Sequence, residues 1–211
     1  MFTQATTFDQ NLSLWDVSSA NSFVNMFSGS AMIDSQGISG TPNASYFDAT
    51  TGNDIIRGSA GGVDDSLRGH NGNDRLKGLG GNDTIFGDGG KDKLYGGRGS
   101  DVLYGGADND VLYGKNGNDQ LKGGVGKDKL IGGFGTDTLT GGSGKDIFYL
   151  SANSGRDIIT DYESKDKIKL TDGLTENDLK IKQVGGNVKI KYEHDLLAIV
   201  QNTAADDITF I

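Results

Sequence analysis

The 211-residue chain contains no cysteine, which removes disulfide frameworks and thiolate metal sites from consideration. It has a single proline, Pro42, against 35 glycines, so a collagen-like repeat is excluded despite the glycine content. Hydrophobic residues make up 34% and aromatics 8%, thin provision for a conventional core. No apolar run reaches membrane-spanning length, and the amino terminus lacks the basic-then-apolar pattern of a cleaved signal. The net charge is −9 and no run of the sequence clusters Lys and Arg, which argues against a nucleic-acid partner. Catalytic patterns are missing too: there is no His-Glu-x-x-His, no Gly-x-Ser-x-Gly and no evident acid/base pair, and the two histidines, His70 and His194, stand far apart. The chain therefore reads as non-catalytic, with cations as its natural partners.

What is present is a period. Counting back from Phe148, an apolar residue recurs every ninth position through Leu139, Leu130, Leu121, Leu112, Leu103, Leu94, Ile85, Leu76 and Leu67. Two residues before each stands an aspartate: Asp146, Asp137, Asp128, Asp119, Asp110, Asp101, Asp92, Asp83, Asp74 and Asp65. A fixed short period signals a stacked solenoid. One inward side chain with outward neighbours is a short strand, and the glycine-rich residues before it are a turn. Two units then make an eighteen-residue coil with a strand on each side. The coils stack as two parallel sheets, with Leu67, Ile85, Leu103, Leu121 and Leu139 inside one and Leu76, Leu94, Leu112, Leu130 and Phe148 inside the other. Aspartates one coil apart would repel one another unless a hard cation stood between them, and all-oxygen ligation suits calcium better than zinc or copper. Phe86 and Tyr104 project from one sheet and Tyr95, Tyr113, Ile131 and Tyr149 from the other. Same-face ladder packing accounts for them, with a glycan- or partner-binding stripe as the sharper alternative.

Three segments follow. Residues 49–149 are the repeat block. Its fourth position is glycine except at Asp108, which tolerates left-handed angles, and Val63, which would be strained there. Eleven residues separate Ile56 from Leu67, so two extra residues are expected to loop out at Gly58-Ser59. Residues 150–211 leave the period and read as a β-rich cap: strands at Ile158-Ile159, Ile168 to Leu170, Leu179 to Val184, Val188 to Tyr192 and Leu196 to Val200, with a helical turn from Thr175. His194 is expected to be exposed on a hairpin, and His70 to matter through its backbone and not its ring. Residues 1–48 form a short irregular segment in which 30–48 read as a linker. Within it, Trp15-Asp16-Val17-Ser18 and Met26-Phe27-Ser28-Gly29 resemble one copy, over 8–32, of a bacterial surface-protein repeat related to leucine-rich repeats. One such unit cannot bury its own apolar face, which places Met1 near the edge of a fragment, with any catalytic domain upstream.

The units Gly96-Gly97-Arg98-Gly99-Ser100-Asp101-Val102-Leu103-Tyr104 and Gly132-Gly133-Phe134-Gly135-Thr136-Asp137-Thr138-Leu139-Thr140 match in full the G-G-x-G-x-D-x-U-x pattern of RTX (repeats-in-toxin, hemolysin-type) proteins. The tail, with Asp157-Ile158-Ile159-Thr160-Asp161-Tyr162 and Asp166-Lys167-Ile168, resembles the end-cap of that family. The resemblance implies an all-β fold, a right-handed parallel β-roll stacked on calcium. Each ion would lie between two coils, held by two aspartates and main-chain carbonyls. Carried over, one site is Asp74 with the carbonyls of His70 and Gly72, joined by Asp92 with those of Gly87 and Gly89. The pairs Asp83/Asp101, Asp92/Asp110, Asp101/Asp119, Asp110/Asp128, Asp119/Asp137 and Asp128/Asp146 repeat it, drawing on the carbonyls of Gly81, Gly90, Gly96, Gly99, Gly105, Gly117, Gly126 and Gly135. That gives roughly six to eight calcium ions. Val63 puts Asp65/Asp83 in doubt, as the insertion does Asp54. Asp157, Asp161 and Asp166 stay open between ligands and solvated turn residues. The implied function is a calcium-dependent folding and secretion module of an extracellular bacterial protein. Its partners are calcium and the type I secretion machinery, and it is monomeric. Alternatives are a calcium-stabilised cell-surface adhesin with a glycan ligand and, less favoured, the trailing module of a secreted hydrolase, lyase or epimerase.

Overall fold

The computed structural model describes residues 44–49, 51–59, 61–152 and 154–211. The surface-repeat resemblance at 8–32 lies outside the described residues. The regular structure of the described residues is nearly all strand, in two facing sheets.

The first sheet takes every second repeat. Its parallel strands are β1 (Ala44–Asp48), β3 (Asp64–Arg68), β5 (Thr84–Gly89), β7 (Val102–Ala107), β9 (Gln120–Gly126), β11 (Thr138–Gly144) and β13 (Asp157–Ile159). The second takes the alternate ones: β2 (Ile55–Arg57), β4 (Arg75–Gly80), β6 (Lys93–Arg98), β8 (Val111–Asn116), β10 (Lys129–Phe134), β12 (Ile147–Leu150) and β14 (Lys167–Leu170). The chain forms a parallel β-roll, and its register is the eighteen-residue one: Leu94 lies beside Leu112, and Leu103 beside Leu121. All ten periodic apolar side chains are fully buried, five under each sheet as the alternation requires.

Both ends of the block stack at a longer interval. Ile55 pairs with Arg75 and Thr138 with Ile158, twenty residues on. At the first end the extra residues do not loop out at Gly58-Ser59. Gly58 keeps its ladder bond, its N–H donating to the Lys77 carbonyl at 2.7 Å, and the surplus is spent at Gly61-Gly62, where both glycines have positive φ and added side chains would meet nothing. That displacement also spares Val63 the left-handed angles, which Asp108 does adopt at φ 76°. The segment read as a linker ends in a strand, since Ala44–Asp48 pairs in register with Asp64–Arg68.

After β13 the first sheet is completed by three more strands. β17 (Asp195–Val200) pairs with β13 in parallel, then β16 (Asn187–Tyr192) and β15 (Leu179–Val184) follow antiparallel. A two-residue turn at Gly185-Gly186 joins β15 to β16, with Gly185 at φ 63°. A 3-10 turn at Glu176–Asp178 precedes β15; Asp178 Oδ2 accepts from the N–H and the hydroxyl of Thr175. The last residues cover the edge of β14, where Ile168 N–H donates to the Thr209 carbonyl. His194 is exposed, as its hairpin position suggested.

Candidate calcium ladder

The nine-residue period delivers each aspartate to the start of a strand, just inside the turn. There the ten repeat aspartates are almost wholly buried, from 0% to 3% exposed. They form two columns, one per sheet, and each column is a hydrogen-bonded ladder. The N–H of Asp74 donates to Asp92 Oδ1 at 2.7 Å, that of Asp92 to Asp110 Oδ1 at 2.8 Å, and that of Asp110 to Asp128 Oδ1 at 2.8 Å. Asp65, Asp83, Asp101 and Asp119 donate likewise to the aspartate one coil on, ending at Asp137. So Asp65 joins the ladder despite Val63, and Asp54 joins through its N–H to Asp74 Oδ1 at 2.7 Å.

One oxygen of each carboxylate is thereby satisfied and the other is not. Oδ2 of Asp74, Asp83, Asp92, Asp101, Asp110, Asp119, Asp128, Asp137 and Asp146 is buried without a hydrogen-bond partner, as is Oδ1 of Asp65 and of Asp157. A buried, half-answered carboxylate costs several kcal/mol unless a proton or a cation meets it. The surroundings show which can fit. A Cβ placed on Gly69 would stand 2.5 Å from Asp74 Oδ2 and 2.8 Å from the Gly87 carbonyl oxygen, so carboxylate and carbonyl from successive coils border one small cradle. The same pairing recurs with Asp83 and Gly96, and with Asp92 and Gly105. Among the described residues no three His, Cys, Asp or Glu side chains converge, so a metal here must draw on carbonyls. An oxygen-only donor set of that kind fits a hard cation.

The other expected carbonyls divide. Those of His70 and Gly89 accept ladder bonds at 2.8 Å from Gly89 and Gly72 N–H. The fourth-position carbonyls of Gly72, Gly81, Gly99, Gly117, Gly126 and Gly135 overlie the matching glycine of the next coil so closely that any side chain there would collide with them. Gly90 is one such glycine, at φ 113°, facing the Gly72 carbonyl.

Electrostatics follow from burial. Desolvation pushes Asp74, Asp83, Asp101, Asp128 and Asp146 up to about 6, Asp119 to about 7, and Asp110 and Asp157 to about 8. Asp92, Asp137 and Asp166 are raised for the same reason. The ladder N–H of the preceding coil pulls each back down, and carboxylates of neighbouring coils push most of them further up.

The tail extends one column and closes it. Asp146 N–H donates to Asp166 Oδ1 at 3.0 Å, but Asp166 Oδ2 accepts from Glu163 N–H at 2.8 Å, so this carboxylate is answered from within the chain. Asp161 takes the N–H groups of Gly141 and Gly142 at 2.8 and 2.7 Å. His70 departs from expectation: its ring Nε2 lies 2.6 Å from Asp48 Oδ1, tying neighbouring coils together.

A second ladder has no counterpart in the expectations from sequence. Exposed side chains at the fifth position accept N–H bonds from the next coil: Asn53 from Asn73, Asn73 from Lys91, Asn82 from Ser100, Asn109 from Lys127 and Asn118 from Thr136, at 2.7 to 2.8 Å. Its signal was the Asn-Asp pairs at 53–54, 73–74, 82–83, 109–110 and 118–119, legible only as turn formers.

A parallel solenoid with buried aspartate columns along its turns defines a class of cation-stacked β-rolls. The model of the RTX calcium-binding nonapeptide repeat matches residues 39–62, 59–94, 86–121, 113–148 and 122–159, and the chain belongs to that family. Its repeats are calcium-binding repeats. Among solved structures it is similar to the extracellular lipase LipA of Serratia marcescens, at 18% identity and a TM-score of 0.43, over 83% of this chain and 41% of that one. The chain thus spans less than half of that lipase. No curated protein matches it significantly.

Proposed function

We propose that this chain is a calcium-dependent folding and export module of an extracellular bacterial protein that leaves the cell by a type I pathway. The observation that carries the reading is the pair of buried aspartate columns with one orphaned oxygen per carboxylate. In the calcium-poor cytosol those oxygens have no counter-charge, and a glycine-rich acidic chain with one buried apolar side chain per nine residues stays unfolded. Outside, calcium supplies it.

The ions would be held between coils by Asp74 with Asp92, Asp83 with Asp101, Asp92 with Asp110, Asp101 with Asp119, Asp110 with Asp128, Asp119 with Asp137 and Asp128 with Asp146. First-position carbonyls such as those of Gly87, Gly96 and Gly105 join them, bordering the cradles described above. Bound calcium supplies neutralisation and cross-linking of successive coils. The chain supplies spacing: each Asp N–H fixes the next coil's Oδ1, which leaves the second oxygen turned into the cradle. At free calcium tenfold above Kd each site adds about 1.4 kcal/mol, so several coupled sites decide whether the roll forms.

Calorimetric calcium titration with circular dichroism tests this. Saturable uptake of several ions should track the gain of strand signal, and a chain keeping its full strand signal in EGTA would sink the reading.

A further inference from the structure

The second sheet shows solvent a face unlike the rest of this acidic chain. Stacked positions run up its outer surface in two columns. One holds Arg75, Lys93, Val111, Lys129, Ile147 and Lys167; the other runs from Arg57 and Lys77 through Tyr95, Tyr113, Ile131 and Tyr149 to Lys169. Neither contains a carboxylate, although the chain has 29 Asp and Glu against 20 Lys and Arg. In the matching columns of the first sheet, among the described residues from β3 to β11, only Arg68 and Lys122 are cationic, and Arg68 is tied to Asp88 at 2.6 Å. Among the described residues the seven cations of the second sheet's face form no ion pair. They crowd instead: desolvation, then the charges of Arg75, Arg57 and Lys115, lower the Lys77 ammonium below its usual range. The sequence conceals this cluster because its members lie about one coil apart.

The aromatic residues give the strip its texture. Tyr95 and Tyr113 stack at 4.8 Å, with Arg75 and Lys77 over the Tyr95 ring and Lys115 over that of Tyr113. At Ile131 the ring column is interrupted. A cleft opens there, lined by Lys93, Val111, Tyr113, Lys129, Ile131 and Tyr149.

We propose that this face is a binding strip for a linear acidic polysaccharide lying along the solenoid axis, with a uronate ring in the cleft between Tyr113 and Tyr149 and its carboxylate met by Lys93 and Lys129. The strip is two side chains wide and seven strands long, about 30 Å at the usual strand spacing, which suits one polymer chain. The cleft offers what a charged sugar needs: an apolar floor for its C–H face, phenol hydroxyls for its hydroxyls, and unpaired ammonium groups for its acid. Single-stranded nucleic acid is favoured less, because base stacking wants open ring faces and Tyr95 and Tyr113 cover each other. An anionic bilayer is favoured less, because a plane of head groups would have to meet the whole flank of the roll, whereas the cations occupy a strip two side chains wide. The inference requires a folded roll and in that respect rests on the calcium reading.

The test is binding of a fluorescent hyaluronan oligosaccharide to the full chain in millimolar calcium, read by anisotropy. Reversing Lys93→Glu, Lys129→Glu and Lys167→Glu together should weaken binding at least about tenfold, whereas Lys180→Glu, Lys182→Glu and Lys189→Glu, with the same change in net charge, should cost less than about twofold. Tyr149→Ala alone should weaken it about fivefold, which ion exchange would not require. Should the triple reversal lose its strand signal, Lys129→Gln combined with Tyr149→Ala gives the same comparison with less perturbation. No binding by the parent chain, equal loss in strip and control variants, or tighter binding to single-stranded DNA of matched charge overturns the proposal. Strand signal and binding are also read in EGTA: a chain folded there would refute the calcium reading, and its binding of the oligosaccharide would still decide for or against the strip.

Discussion

The repeat block and the tail are joined by continuous sheets, yet different forces hold them. From Leu67 to Phe148 the roll buries ten apolar side chains and, with Asp65, ten aspartates. From Leu150 to Val200 the tail buries nine apolar side chains and two aspartates, among the described residues. Both oxygens of Asp166 are met by N–H groups, and Tyr162 donates to the Asp166 carbonyl at 2.9 Å, while the repeat aspartates each keep an oxygen unanswered. The tail is thus a small conventional core docked on the last coil. The roll is one leucine thick and leaves an oxygen of every repeat aspartate unanswered, whereas in the tail, among the described residues, Asp157 on the last coil is the one buried aspartate that does so.

Calcium removal is the harshest way to probe that contrast, and hydrogen exchange resolves it by region. In EGTA at neutral pH, amides of β4 to β11 should lose protection, whereas those of β16 and β17 should outlast them. Simultaneous loss everywhere would show roll and tail to be one cooperative unit and would erase the distinction.

Acid should partly replace calcium. The repeat carboxyls have folded values raised from 3.8 to about 6, about 7 and about 8 in Asp101, Asp119 and Asp110. A raised acid stabilises the fold below its unfolded value and loses that contribution as pH climbs through the folded one. The calcium-free chain should therefore gain strand signal on acidification from pH 8 to pH 5, and calcium affinity should fall over the same interval as protons compete. Ellipticity in EGTA across that range checks the first part, and a flat profile would contradict it.

Substituting Asp110→Asn separates hydrogen bond from charge. Asparagine keeps an Oδ1 to accept from Asp92 N–H but brings no anion into the two cradles that share Asp110. Calcium-saturated stability should drop by about 1–3 kcal/mol, while the calcium-free chain at neutral pH should be no worse or slightly improved. Denaturant melts with and without calcium measure both. Losses of equal size in the two conditions would mean that the ladder bond, and not the ion, is what Asp110 contributes.

Much of this was legible because one residue in nine repeats a single instruction. The apolar series fixed which side chains face inward, and the phase of the aspartates fixed their columns. Where the period fails, legibility fails with it. The surplus residues lie at Gly61-Gly62 because Gly58 already belongs to the ladder, a fact carried by the next coil and not by its neighbours in sequence. The fifth-position ladder and the basic strip share that property. Each joins residues about eighteen to twenty apart whose types are ordinary when read along the chain.

The exposed ladder supplies the gentlest probe. Asn118 Oδ1 accepts from Thr136 N–H at 2.8 Å, the same main-chain-to-side-chain bond that Asp128 makes with Asp110 N–H at 2.8 Å. Geometry barely distinguishes them; burial does. When Asn118→Ala removes the acceptor, Thr136 N–H turns to water, so the cost in saturating calcium should be about 0.5–1 kcal/mol, with calcium affinity unchanged. A loss as large as that of Asp110→Asn would mean that coil stacking rests on N–H bonds of either kind. A small loss with intact calcium uptake would place the weight on the buried carboxylates, where an unmet oxygen has no solvent to turn to.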